Sequence, residues 1–198
     1  MIQLLIVGDG ERDAVTVPRI VERILSVSVR EESRQWARLH SAGRGYGRKL
    51  QFAVRQARDS AQQGVVATVD ADRSGLRRLR ELRGTREKDR AQSPAFPTVL
   101  GCAVPHGEAW LLDDPIAVRQ GLTLPPEADV PTVSKVTSPK KTLEDLLAQS
   151  PRRDVKPRTV WCDIASALEP HRCVHAADTG FRDFIREVHS ELGPLRQL

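Results

Sequence analysis

The stretch that most constrains this chain is Val65-Val66-Ala67-Thr68-Val69-Asp70-Ala71-Asp72-Arg73. Five apolar or β-branched residues lead into a carboxylate, a small spacer and a second carboxylate. Gly64 precedes the run and Ser74-Gly75 follows it. A continuous apolar run bounded by turn formers reads as a strand buried on both faces of a parallel sheet. Ligands of open α/β sheets bind just beyond the carboxyl ends of the strands. Residues two apart on an extended chain point to the same side. Asp70 and Asp72 therefore offer two hard oxygen ligands at one strand end, the donor type of Mg²⁺ or Mn²⁺. The competing reading is a strand that stops at Asp because Asp favours turns.

The rest of the chain supplies partners for that strand. Ile2 to Val7 reads as a first strand rather than a signal peptide, because it lacks a basic leader and a small-residue cleavage site. Gly8-Asp9-Gly10-Glu11-Arg12-Asp13 follows as a tight loop, then a helix over 14–25 with Asp13 as its N-cap and Pro18 in its first turn. A short second strand is expected over 35–40, containing Trp36 and Leu39, and a helix over 48–62. A densely charged helix is expected over 76–90, with Leu76, Leu79 and Leu82 as its apolar stripe. The fourth strand spans 97–104, and Glu108 opens a short helical turn after it. Asp113-Asp114 precede Pro115 as a cap for the next helix. Residues 121–139 read as a Pro- and Thr-rich loop. Helices follow from Ser138 and over 160–168, and a final amphipathic helix carries Phe181, Phe184, Ile185, Val188 and Leu192. The expected domains are an α/β unit over 1–120 and a loop and helical C-terminal extension over 121–198, packed on it.

Three of these strand ends deliver acids to one sheet edge: Asp9 and Asp13, then Asp70 and Asp72, then Glu108. Packed carboxylates repel, and a divalent cation among them is the economical counterion. A second feature is the loop Ser41-Ala42-Gly43-Arg44-Gly45-Tyr46-Gly47-Arg48-Lys49, whose glycines let backbone N–H groups and Arg44, Arg48 and Lys49 approach phosphates. It matches no Walker or dinucleotide fingerprint, and an ordinary strand-to-helix turn competes with that reading. The arginines of 76–90 offer either a nucleic-acid surface or a solvated face. The 31 basic against 26 acidic residues give a formal net charge of +5, which permits a polyanionic partner without specifying a fold. The three cysteines have no metal-ligand spacing. With no apolar run of ~20 residues, the expected setting is the reducing cytoplasm.

On these residues the chain resembles the TOPRIM fold of topoisomerases, primases and overcoming-lysogenization-defect nucleases. Asp9-Gly10 stands at the place of its acid-Gly pair, and Asp70-Ala71-Asp72 at that of its Asp-x-Asp. It looks more closely like small bacterial TOPRIM-like proteins. Their Glu-Gly-x-x-Glu is matched by Asp9-Gly10-Glu11-Arg12-Asp13, followed by Val17-Pro18 and Arg23. Their Gly-rich segment is matched by Gly43 to Lys49, their Glu-Ala-Trp-Leu-Leu by Glu108 to Leu112, their Pro-Lys-x-x-Leu by Pro139, Lys140 and Leu143, and their Phe-x-x-Phe by Phe181 and Phe184.

The resemblance implies a TOPRIM/Rossmann-like parallel sheet of about four strands and a Mg²⁺- or Mn²⁺-dependent nuclease. Asp70, Asp72 and Glu108 would hold metal. Asp9 or Glu11, with Asp13, would serve acid/base or ligand roles, and Lys140 would stabilise charge. Arg44, Arg48, Lys49 and Arg73 would contact nucleic acid, DNA in preference to RNA. An AAA- or ABC-type ATPase partner and a role in anti-phage defence are also implied, and homo-oligomerisation is left open. The departure is Asp9, where the fold normally has Glu. One methylene less puts proton transfer at the same point in doubt. The alternative is a non-catalytic TOPRIM-like module that binds an ATPase or nucleic acid. A receiver-like phosphotransfer domain ranks below both, for want of a fifth strand and its Lys.

Overall fold

The computed structural model describes residues 1–39, 43–71, 75–92 and 94–197. Four strands, β1 (Ile2–Gly8), β2 (Val29–Gln35), β3 (Gly64–Asp70) and β4 (Thr98–Ala103), form one parallel sheet in the order β2-β1-β3-β4. The helices are α1 (Asp13–Leu25), α2 (Tyr46–Asp59), α3 (Gly75–Gln92), α4 (Glu108–Leu112), α5 (Pro115–Leu122), α6 (Pro139–Gln149), α7 (Pro157–Ala167) and α8 (Phe181–Leu192). This is an α/β Rossmann-like architecture with a helical C-terminal region. None of the described helices is long and apolar enough to cross a membrane.

The strand order dictates the layers. The chain moves one way from β1 to β2, and the opposite way from β2 across β1 to β3 and β4. Right-handed crossovers then put α1 on one face and α2 and α3 on the other. Strand periodicity follows suit. Ile2, Leu4 and Ile6 of β1 join the core beneath α1 and the C-terminal helices, while Leu5 and Val7 join the core beneath α2 and α3. Residues on both sides of position 120 share the first core, for Trp110, Val118, Ile164, Phe181 and Phe184 all belong to it. Trp110 stacks on Phe184 with ring centroids 4.8 Å apart. Gly101 makes room for them, since a Cβ there would lie 2.6 Å from Phe184 Cδ2 and 3.2 Å from Trp110.

The far edge of the sheet is finished by side chains. The N–H groups of Thr98 and Leu100 donate to the carboxylates of Glu191 and Glu187 on α8, at 3.2 and 3.4 Å. Arg86 of α3 donates to the Thr98 carbonyl at 2.9 Å and pairs with Glu187, and Arg90 pairs with Glu191. Two arginines of the charged helix are thus structural, and of its expected stripe Leu82 is buried while Leu76 is exposed.

Three local expectations are corrected. The second strand is not 35–40 but Val29–Gln35, a polar edge strand. Trp36–Arg38 form a 3-10 turn that buries Trp36, whose indole N–H donates to the Thr68 carbonyl at 2.7 Å. His40 lies outside the described residues. Pro18 sits beyond the first turn of α1. It cannot donate to the Ala14 carbonyl, which instead accepts from Ser33 Oγ at 3.3 Å. Asp13 does not cap α1. It is the first helical residue, and its carboxylate reaches back to accept the N–H groups of Asp9 and Gly10, at 2.7 and 3.1 Å. By contrast, Asp114 caps α5 as expected, accepting from the N–H groups of Ile116 and Ala117, both at 3.1 Å.

Candidate active site

In this strand order the chain reverses direction between β1 and β3, and the crevice outside their carboxyl ends is where such sheets bind ligands. Asp9 follows β1 and Asp70 ends β3, so both stand at that switch point. The Asp70 N–H donates to Asp9 Oδ2 at 2.8 Å, tying the two strand ends together. Glu108, at the start of α4 beyond β4, comes in from the other side and is 2% exposed. Asp13 is buried beneath the loop. Gly8 is required there, because a Cβ would stand 2.7 Å from Asp13 Oδ2.

Among Asp13, Asp70 and Glu108 stands the positive charge of Arg12. Its guanidinium pairs with Glu108 Oε1 and stands 3.9 Å from Asp70 Oδ2 and 3.9 Å from Asp13 Oδ1. His106 Nδ1 lies 3.4 Å from Asp70 Oδ2, and the Gly107 N–H donates to Asp70 Oδ1 at 3.0 Å. Asp9 is flanked by Arg78, at 3.9 Å, whose guanidinium also lies over the Tyr46 ring. Burial pushes the carboxyls of Asp13 and Asp70 above their ordinary range. Arg12 pulls both back down, while a neighbouring carboxylate (Asp70 for Asp13, Asp9 for Asp70) pushes them up again. Backbone N–H donors lower both. Burial, then the charge of Asp70, pushes the Cys102 thiol up to about 11, so it is no nucleophile at neutral pH.

Of the residues expected at the site, Asp9, Asp13, Asp70 and Glu108 come together. Asp72 and Arg73 lie outside the described residues. Glu11 points away: its side chain is 72% exposed and faces Arg38 at 3.7 Å. Lys140 is exposed in the first turn of α6, and no ion pair or hydrogen bond among the described residues joins it to the acids. In the Gly-rich segment, Arg44 and Arg48 are exposed, but two groups expected for phosphate are already used. Lys49 Nζ donates to the Trp36 carbonyl at 2.6 Å, and the Gly47 N–H donates to Glu81 Oε1 of α3 at 2.8 Å. Sequence reasoning assigned no role to Arg12 or His106. The signal for both was position: each lies within two residues of a named acid beyond a strand end.

A divalent ion suits these residues in donor type. Among the described residues no three His, Cys, Asp or Glu side chains form a ready metal cage. Yet Glu108 Oε2 is buried with no hydrogen-bond partner among them, an oxygen acceptor left open in a residue that Arg12 links to Asp70. Such an orphan is costly unless something positive approaches it. Asp70 and Glu108 are the pair that would hold an ion, with Asp9 adjoining. Comparison with protein-family models, with curated proteins and with solved structures finds no match to this chain.

Proposed function

We propose that this protein is a divalent-metal-dependent phosphodiester hydrolase of TOPRIM type, acting on DNA. One observation carries the reading: carboxylates from three strand ends, Asp9, Asp70 and Glu108, gather at the sheet's switch point. Asp70 and Glu108, with Asp72, would hold Mg²⁺ or Mn²⁺. A bound ion of this kind polarises a phosphoryl oxygen and makes water a stronger nucleophile.

The chain's own residues have separable tasks. The Gly107 N–H fixes the Asp70 carboxylate, and Asp9 locks the end of β3 through the Asp70 N–H. Asp13 holds the Asp9-Gly10 turn in shape by accepting both N–H groups, so it positions and does not touch substrate. His106, about two-fifths exposed and beside Asp70, would give a proton to the leaving oxygen. It answers the difficulty of a short Asp9 where the family carries Glu. The ATPase partner and the defence role rest on the family resemblance alone.

The test is nicking of supercoiled plasmid with Mg²⁺, Mn²⁺ or EDTA, by the wild type and by the Asp70→Ala, Asp9→Ala and His106→Ala variants. Metal-dependent nicking that Asp70→Ala abolishes supports the reading. Metal-independent nicking, or nicking that survives Asp70→Ala, refutes it. A second reading has its own support in Arg12, which already neutralises the acids as a fixed counterion would. On that reading the fold is a non-catalytic module for a partner ATPase or nucleic acid. Asp70→Ala then leaves partner binding intact and no condition yields cleavage.

A further inference from the structure

Outside the acid cluster, three arginines from three separate elements meet in one cleft. Its volume is about 460 Å³, and its lining includes Ser33, Arg34 and Gln35 at the end of β2, Arg38 in the 3-10 turn, Glu11 in the loop after β1, and Arg158 in the first turn of α7. Only folding assembles this set. The lining carries three guanidinium groups and one carboxylate, and that carboxylate is weakly engaged. Glu11 and Arg38 are 3.7 Å apart with side chains 72% and 71% exposed, a pair of little net strength in water. Arg34 also pairs with Glu32 on its own strand. Arg158 is exposed and has no ion pair among the described residues. With Glu11 and Glu32 set against three arginines, the cleft keeps a net positive charge, and guanidinium groups grip phosphate oxygens two at a time. Ser33 and Gln35 add neutral polar groups to its wall.

Its place relative to the acids is set by strand register. Gln35 is the partner of Gly8, the residue before Asp9. The cleft therefore opens at the same sheet edge as the acids, on one side of β1, with the Asp70 end of β3 on the other. Two strand spacings amount to roughly 10 Å. A strand that crosses this distance brings more than one phosphate to the edge. A continuous polyanion crossing the edge engages the arginines at one end and reaches the Asp70 end of β3 at the other.

We propose that the cleft of Arg34, Arg38 and Arg158 binds the phosphodiester backbone of a nucleic-acid strand and leads it across the sheet edge to Asp70. The destination rests on the hydrolase reading; the binding itself does not.

The experiment is fluorescence anisotropy with short labelled duplexes of DNA and of RNA in EDTA, titrated over a range of salt. It compares the wild type, the triple variant R34Q/R38Q/R158Q, and the control R55Q/R153Q/R186Q, which removes the same charge from exposed positions elsewhere. The cleft variant is expected to lose at least ~10-fold in affinity. Its plot of log affinity against log salt should be shallower by two to three, at about 0.9 per phosphate contact. The control should move little. The stronger of the DNA and RNA arms identifies the strand that occupies the cleft. Equal losses in the two triples, or no wild-type binding of either duplex at ~100 μM, overturn the proposal. If the cleft triple melts well below the wild type, Arg158→Gln alone carries the test, with an expected slope change of about one. The two readings fail separately. Cleft-dependent binding without metal-dependent nicking sinks the hydrolase and keeps the cleft. Nicking by the wild type, with unchanged binding by the cleft variant, does the reverse.

Discussion

Replacing Arg12 with Met tests whether one guanidinium is what lets these acids coexist. Met keeps an unbranched stem and loses the charge. Glu108 is then left 2% exposed with one oxygen newly unpaired and the other already without a partner. Removing one member of a buried pair costs about 3–5 kcal/mol. Arg12 keeps 19% of its side-chain surface in water, so the low end applies, about 3 kcal/mol. For a chain of this size that lowers Tm by roughly 6–12 °C.

The pH dependence has a definite sign. Asp13 and Asp70 are already raised by burial, with Arg12 the largest pull in the other direction, so without it both rise further. An aspartate with a raised folded-state pKa binds its proton more tightly folded than unfolded. Its contribution is most favourable below the unfolded value and is lost as pH climbs through the raised one. The deficit of Arg12→Met should therefore be largest near neutrality and shrink as pH falls through the raised carboxyl range. Calorimetric melts of the wild type, Arg12→Met and the double variant R12M/E108Q provide the measurement. The double variant should recover more than half of the loss, since it removes the stranded charge. A deficit that is constant with pH, and untouched by the Glu108→Gln change, would refute the argument.

Other expectations test the packing and the metal. Gly121→Ala should cost about 2–3 kcal/mol in urea melts, because its Cβ would stand 2.8 and 2.9 Å from the N and Cα atoms of Ile164, and backbone cannot yield as a side chain does. Asp114 is fully buried, caps α5, and accepts from the Glu169 N–H and Arg172 Nε at 2.9 and 2.8 Å. Asp114→Ala should lose about 3–5 kcal/mol, and Asp114→Asn less, as it keeps an acceptor for the cap. If the acid cluster takes Mg²⁺ with a Kd of ~1 mM, ~10 mM of the ion should add about 1.4 kcal/mol, or roughly 3–6 °C, to the wild type and nothing to Asp70→Asn in a thermal-shift assay.

The sequence exposed the interior of this fold better than its margins. Strands β1, β3 and β4 were legible because both of their faces are buried, so they read as unbroken apolar runs. Strand β2 was misplaced because an edge strand of Val-Arg-Glu-Glu-Ser-Arg-Gln has no apolar pattern, while Trp36 and Leu39 beside it have one. The local rule confines a proline to the first turn; at Pro18 a hydroxyl from another element takes up the freed carbonyl instead. At the site, Asp9, Asp70 and Glu108 could be found because each ends a strand or starts the helix after one. Arg12 was hidden by its motif, where a base among acids looks like a solvated turn. Arg34, Arg38 and Arg158 could not be grouped at all, since residues 38 and 158 meet only in three dimensions.

The way α8 closes the sheet bears on how copies of this chain meet one another. A bare strand edge is a template on which another chain can crystallise its own backbone. At β4 that template is already occupied, by two glutamates accepting its N–H groups and an arginine donating to its carbonyl. The helix in effect mimics a fifth strand with side chains. An intruding strand would have to evict Glu187 and Glu191, and would strand Arg86 and Arg90 without their counterions. At the opposite edge, β2 meets an incomer with Arg30, Glu31, Glu32 and Arg34. Growth of the sheet is blocked at one end by occupancy and resisted at the other by charge, which leaves the helical faces as the open route for self-association.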